Sequence, residues 1–269
     1  MSRAPVAAFV ALVIATVGAF FVTQHLKVTT PLIQGRPAPF PSTINPVSGG
    51  ICLRRNGKGV LAPVSFRRMK VSFYLQNRSD QVEVYILDHN KQPVRQIGTD
   101  VFMSAHPPKR HEFRWDGRIA DGAVAPAGVY YIKVALLHEA RSFLISNSTA
   151  AERVTVQTAR PHVRVTAVSP DSVVSGSATP ITIRYTGTDA LRPRILIYRV
   201  RRGRPPHQVK SYSATSRAGA SVWNGTLANG RRAPAGTYVA GVLLTNQSCT
   251  TGRSPVTPAA APQAVITVR

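Results

Sequence analysis

Beyond residue 24 the chain alternates apolar and polar residues with a period of two. The clearest runs are Met69-Lys-Val-Ser-Phe-Tyr-Leu75, Val82-Glu-Val-Tyr-Ile-Leu87 and Arg153-Val-Thr-Val156. Their counterparts are Ile181-Thr-Ile-Arg-Tyr185, Ile195-Leu-Ile-Tyr198 and Val265-Ile-Thr-Val268. Successive strand side chains point to opposite faces, so each run predicts a half-buried β-strand. Polar turns such as Asp88-His-Asn-Lys91 and Arg201-Arg-Gly-Arg204 punctuate the runs, and no stretch after residue 24 has helical periodicity. Many short strands separated by Gly, Pro and Asn predict an all-β fold of sandwich type.

The N-terminus follows a different pattern. After Met1-Ser2-Arg3, residues 4–23 (APVAAFVALVIATVGAFFVT) contain no charge. A helix of this length spans a hydrocarbon core, and inside lipid a helix satisfies its own backbone. The segment is therefore expected to be an uncleaved transmembrane anchor with the bilayer as partner, residues 1–3 cytoplasmic and the bulk of the chain extracytoplasmic. The alternative is a cleaved signal peptide. Val17-Gly18-Ala19 is the nearest approach to its cleavage site, but Phe20, Phe21 and Val22 continue the apolar run past it.

A self-match sets the domain plan. Residues 115–134 (WDGRIADGAVAPAGVYYIKV) and 223–242 (WNGTLANGRRAPAGTYVAGV) align without a gap at an offset of 108, with ten identities in twenty. A period of this size means duplicated domains rather than a solenoid. The expected boundaries are 44–157 for the first sandwich and 161–269 for the second. Residues 24–43, with Pro31, Pro37, Pro39 and Pro41, are expected to form an extended spacer.

Folding accounts for the repeated block. Trp115 and Tyr130, like Trp223 and Tyr238, supply large buried area with polar tips that can reach backbone. Gly117 and Gly225, in Asp-Gly and Asn-Gly steps, form turns, as do Gly122 and Gly230. Pro126-Ala-Gly128 and Pro234-Ala-Gly236 set a second turn before the next strand. The block resembles that of the FlgD Ig-like family, whose pattern reads W-D-G-x-x-x-x-G-x-x-x-x-x-G-x-Y. The resemblance covers both copies and implies two tandem immunoglobulin-like sandwiches, a bacterial source and no particular function, since such modules are appended to many surface proteins. In that topology Cys52 falls in an insert (Gly49 to Gly59) between the first two strands of the first domain. Cys249 falls between the last two strands of the second, and the two loops face each other. A Cys52–Cys249 disulfide across the junction is the expectation.

The formal net charge of +23 then narrows the partners. From residue 160 onward 15 Lys and Arg face 2 acids, against 16 and 9 within 44–157. Arg199, Arg201, Arg202, Arg204 and Lys210 concentrate this charge on one strand pair and its turn. Guanidinium forks suit phosphate and carboxylate groups. The expected partner is an anionic envelope polymer or an envelope protein, not nucleic acid, because the bulk lies outside the cytoplasm. The plainer reading of the same residues is a solvated hairpin that discourages edge pairing.

No catalytic motif accompanies this charge. G-x-S-x-G, H-E-x-x-H and P-loop patterns are absent, and acids are too few to pair for glycoside hydrolysis. His106, His111 and Glu112 cluster without metal-site spacing. No enzyme activity, cofactor or metal is expected. The competing function is a carbohydrate-binding accessory module that recruits a separate enzyme, which needs a surface row of aromatics; Tyr198, Tyr212 and a few others are available, most at core-type positions.

Overall fold

In the computed structural model the described residues are 12–19, 32–35, 37–55, 59–146, 150–187, 193–214, 219–255 and 261–269. Residues 12–19 are helical, and the rest of the apolar run 4–23 lies outside the described residues. Among the described residues no helix is long and apolar enough to cross a membrane.

The remainder is mostly β and forms two units with one plan. The first contains β1 (Ile33–Gln34), β2 (Thr43–Ile44), β5 (Met69–Leu75), β6 (Asp80–Leu87), β7 (Pro93–Met103), β8 (His111–Trp115), β9 (Gly128–Leu136), β10 (Arg141–Leu144) and β11 (Arg153–Val156). A three-stranded sheet, β1-β5-β8, packs on a larger one in the order β2-β11-β9-β6-β7, with β10 paired to β9. The second unit contains β12 (Val163–Ser169), β13 (Ser172–Val173), β14 (Ile181–Gly187), β15 (Arg194–Arg201), β16 (Arg204–Ser213), β17 (Gly219–Trp223), β18 (Gly236–Thr245), β19 (Thr251–Ser254) and β20 (Val265–Val268). Its sheets run β12-β14-β17 and β13-β20-β18-β15-β16, with β19 on β18.

The alternating runs become the facing layers. In β5 the pattern is strict: Met69, Val71, Phe73 and Leu75 are buried and the residues between them are not. They meet Val82, Val84, Ile86, Ile132 and Val134 from the larger sheet, with Trp115 and Tyr130 at one end. A separate core in the second unit joins Ile181, Ile183 and Tyr185 to Ile195, Ile197, Val242 and Ile266, with Trp223 and Tyr238 at the equivalent end.

Two details depart from the sequence reading. Part of the segment 24–43 is not a spacer. Ile33 and Gln34 pair with Leu75 and Tyr74, Phe40 bridges Lys70, and Thr43 pairs with Thr155. Its prolines do not prevent this, because strands at sheet edges need only half their backbone groups paired. The insert after Gly49 is a β-hairpin, β3 (Ile51–Arg55) with β4 (Leu61–Ser65), separate from both sheets.

Candidate functional site

The repeated block builds the same end in each unit. Trp115 Nε1 donates to the Arg118 carbonyl at 2.8 Å, and Trp223 Nε1 donates to the Thr226 carbonyl at 2.8 Å. The Tyr130 and Tyr238 hydroxyls donate to the Pro126 and Pro234 carbonyls, both at 2.8 Å. The Trp and Tyr rings meet at 5.1 Å in the first unit and 5.5 Å in the second. Gly117, Gly122, Gly225 and Gly230 all have positive φ, which glycine adopts without steric cost. These residues fold the turn, each Trp and Tyr spending its polar hydrogen on a local carbonyl.

In the second unit this end carries most of the charge. The β15–β16 hairpin turns through Arg201-Arg-Gly-Arg204, with Gly203 at φ +71°. The Trp223 block docks against it, because the Ala228 N–H donates to the Val209 carbonyl at 3.0 Å. The five residues singled out from sequence divide into two groups here. Arg199 and Lys210 are struts: Arg199 Nη2 donates to the Ala235 carbonyl at 3.0 Å and its guanidinium lies 5.9 Å from the Tyr238 ring centre. Lys210 Nζ bonds the Thr226 hydroxyl. Arg201, Arg202 and Arg204 are exposed.

Two further arginines were missed. Arg231 and Arg232 are exposed in the block itself, where the first copy has Ala123 and Val124. Arg232 Nη1 donates to the Asn224 carbonyl at 2.6 Å. Subtracting one copy of the repeat from the other was the signal that finds them. Arg269 follows the last strand, whose Val268 pairs with Gly236, at the same end. Among the described residues, all ion pairs lie in the first unit and none involves these arginines. Burial raises the Tyr238 phenol, and Arg199 and Arg201 pull it back.

The opposite end of the second unit faces the first. Cys52 on β3 is bonded to Cys249, with a Cα separation of 6.1 Å. The sequence reading put Cys249 between the last two strands, but it lies in the turn from β18 to β19, because β19 forms an extra hairpin with β18 before the chain returns as β20. Asn246 shapes that turn, its Oδ1 accepting from the Ser248 and Thr250 amides at 3.1 and 2.9 Å. Gly50 N–H donates to the Ser248 carbonyl at 3.3 Å, and Thr250 Oγ1 donates to the Ser48 carbonyl at 3.2 Å. A methyl group on Gly50 would overlap the Cys249 carbonyl, so the backbones touch.

Elsewhere in the first unit, Glu112 is held by Lys70 at 2.9 Å and Arg114 at 2.7 Å, which keeps its carboxyl below the usual range. Among the described residues no three of His, Cys, Asp and Glu gather as metal ligands. Tyr198 is buried under the Arg253 guanidinium, 4.9 Å from its ring centre, and Tyr212 packs against the core. Neither offers an open ring to a ligand.

The family model of the FlgD Ig-like domain matches residues 64–139, from the end of β4 to the turn after β9. No curated protein matches the chain. Among solved structures the chain is similar to dimeric latent PorU from Porphyromonas gingivalis, with 11% identity and a TM-score of 0.31, covering 83% of this chain and 20% of that one. It is also similar to a marsupial T cell receptor, with 10% identity and a TM-score of 0.30, covering 68% of this chain and 65% of that one. The chain thus spans a fifth of the first protein and under two thirds of the second, and neither likeness bears on what it does.

Proposed function

We propose that this protein is a non-catalytic binding arm. Residues 4–23 anchor it in the membrane, its bulk is extracytoplasmic, and its two units are tandem FlgD-type immunoglobulin-like modules that present the far end of the second to an anionic envelope polymer. The carrying observation is the asymmetry of the repeat: the same Trp-to-Tyr turn is neutral at Ala123-Val124 and doubly cationic at Arg231-Arg232, and its Ala235 carbonyl bonds Arg199 on the strand that ends at Arg201. Among the described residues these exposed guanidinium groups pair with no carboxylate, which suits them to phosphate or carboxylate groups of a ligand. The Cys52–Cys249 bond and the backbone contacts around it support a stiff arm, and a disulfide suits an oxidising compartment.

A carbohydrate-binding role has one observation in its favour. Tyr85 and Tyr131 share the outer face of the larger sheet in the first unit, diagonal across the β6–β9 pairing. Both are already engaged, Tyr85 by Glu83 at 2.5 Å and Tyr131 by the Lys91 ammonium over its ring. The polymer reading is therefore preferred.

The test uses full-length protein in detergent on anionic and neutral polysaccharide beads, alongside the Arg201→Glu, Arg202→Glu, Arg231→Glu, Arg232→Glu variant. Retention on the anionic beads that falls with salt and is lost in the variant is the expected result. Equal retention of both proteins, or preference for the neutral beads, overturns the reading.

A further inference from the structure

The hairpin of β3 and β4 has no counterpart in the second unit, where β13 leads directly toward β14, and it belongs to neither core. Its register pairs Ile51 with Ser65, Leu53 with Pro63 and Arg55 with Leu61. Alternation puts Ile51, Leu53, Leu61 and Pro63 on one face and Cys52, Arg54, Ala62 and Val64 on the other. The second face is occupied: Cys52 is bonded to Cys249, and the Arg54 guanidinium lies 5.5 Å from the Phe66 ring centre. The first face is open, with Ile51 72%, Leu53 64% and Leu61 54% exposed. Single exposed apolar residues are ordinary, but three adjacent ones on one face of a ribbon form a contact surface. The apolar surface continues past β4 to Phe40, which borders a cleft of about 270 Å³ rimmed by Arg68, Lys70 and Arg114.

Charge and mounting decide what fits. No acid occurs before Asp80 in the sequence, so the ribbon carries cations alone, and the one acid beside the cleft, Glu112, is held by Lys70 and Arg114. A second copy of this chain would press like charges together. An anionic bilayer has suitable chemistry, but the register argues against it. Ile33 pairs with Leu75 at one end of β5 and Phe40 bridges Lys70 at the other, where the ribbon follows. On the anchored reading proposed above, on which this step rests, the chain runs the length of β5 between Ile33 and Phe40 before it reaches the ribbon.

An extended protein segment that alternates apolar and acidic residues meets both demands. Its apolar side chains cover Ile51, Leu53 and Leu61, and its carboxylates face Arg55 and Arg68. Among the described residues the ribbon pairs with no other strand, so its edges offer backbone groups to a third. The disulfide fixes the ribbon beforehand, which lowers the ordering cost of binding. We infer that the β3–β4 ribbon, with the cleft beside Phe40, is a docking surface for an extended acidic and apolar strand of a partner protein. This surface is independent of the arginine-rich end of the second unit.

The probe is a labelled synthetic peptide of alternating Val and Glu, with a Val and Lys peptide as control, measured by fluorescence anisotropy. The protein is the full chain in detergent with its disulfide intact, already carrying the four arginine-to-glutamate changes at the far end so that binding there does not contribute. The Val-Glu peptide binds, the Val-Lys peptide does not, and Ile51→Asn, Leu53→Asn, Leu61→Asn together weaken binding at least tenfold with an unchanged melting temperature. Arg55→Glu with Arg68→Glu, which leaves the apolar face intact, weakens it about fivefold or more at low salt. Equal affinity in the triple-Asn protein overturns the inference. So does absence of peptide binding together with vesicle attachment, or self-association, that the triple-Asn change abolishes.

Discussion

Gly98 on β7 lies against the ring of Phe113 on β8: a Cβ on Gly98 would come within 2.6 Å of Phe113 Cε1. The registers of β6 and β15, and of β5 and β14, identify the same two positions in the second unit. Val84 pairs with Gly98 and Val134, while Ile195 pairs with Tyr212 and Val242, so Tyr212 stands where Gly98 does. Val71 pairs with Phe113 and Ile183 with Ser221, so Ser221 stands where Phe113 does. One unit fills this space from the smaller sheet, where Phe113 also stacks on Phe73 at 5.3 Å, and the other fills it from the larger. Volume is conserved while its source changes sheet.

This exchange makes a coupled prediction. Phe113→Ser alone opens a cavity and costs about 3–5 kcal/mol. Gly98→Tyr alone drives a ring into Phe113 and is destabilising. The double change recovers most of the loss, a coupling of about 1–3 kcal/mol read from urea unfolding. Additive single effects would contradict the shared space.

Tyr212 and Ser221 are a less complete fit than their counterparts. Among the described residues the Tyr212 and Ser221 hydroxyls are buried without a hydrogen-bond partner. Burial pushes the Tyr212 phenol up to about 12, and the nearby Ser221 hydroxyl, which makes no hydrogen bond of good geometry with it, offsets this only in part. Removing an unpartnered buried hydroxyl is neutral or stabilising. Tyr212→Phe is therefore expected to leave stability unchanged or raise it by about 1 kcal/mol, measured by thermal unfolding, and to remove one late-titrating tyrosine from the alkaline absorbance curve.

Asp80 sets an acid limit on the first unit. It is buried, and burial alone would raise its carboxyl. Hydrogen bonds from the His138 amide and ring and from the Glu139 and Gln81 amides outweigh that and hold it below the ordinary value. A carboxyl lowered by folding stabilises the protein above its unfolded pKa of about 3.9, and that stability is lost as pH falls through the still lower folded value. The turn from Leu136 to Arg141 is expected to loosen below about pH 4, seen as faster amide exchange at His138 and Glu139. Asp80→Asn is expected to cost about 1–3 kcal/mol at pH 7 and to flatten this dependence.

The arginines at the far end separate by role. Arg199→Ala loses the bond to the Ala235 carbonyl and the packing on Tyr238, at about 1–2 kcal/mol of stability. Arg231→Ala, which breaks no side-chain hydrogen bond or ring contact among the described residues, is expected to change stability by less than about 0.5 kcal/mol while reducing the salt-dependent retention on anionic polymer. Equal stability losses in the two variants would count against the division.

The repeat and the two-residue alternation were enough to locate the strands Met69–Leu75, Ile181–Tyr185 and their neighbours, because burial on one sheet face imprints directly on adjacent residues. Trp115, Tyr130, Trp223 and Tyr238 were legible as scaffold for the same local reason: each closes its turn onto a carbonyl three or four residues away. The sequence could not show that Ile33 and Thr43 join different sheets, since edge pairing leaves little trace in polarity. Nor could it show that Arg199 and Lys210 turn inward while Arg231 and Arg232 join Arg201 at one end. Those assignments depend on hairpin register and on which turn packs against which strand, contacts made across long separations that no local pattern records.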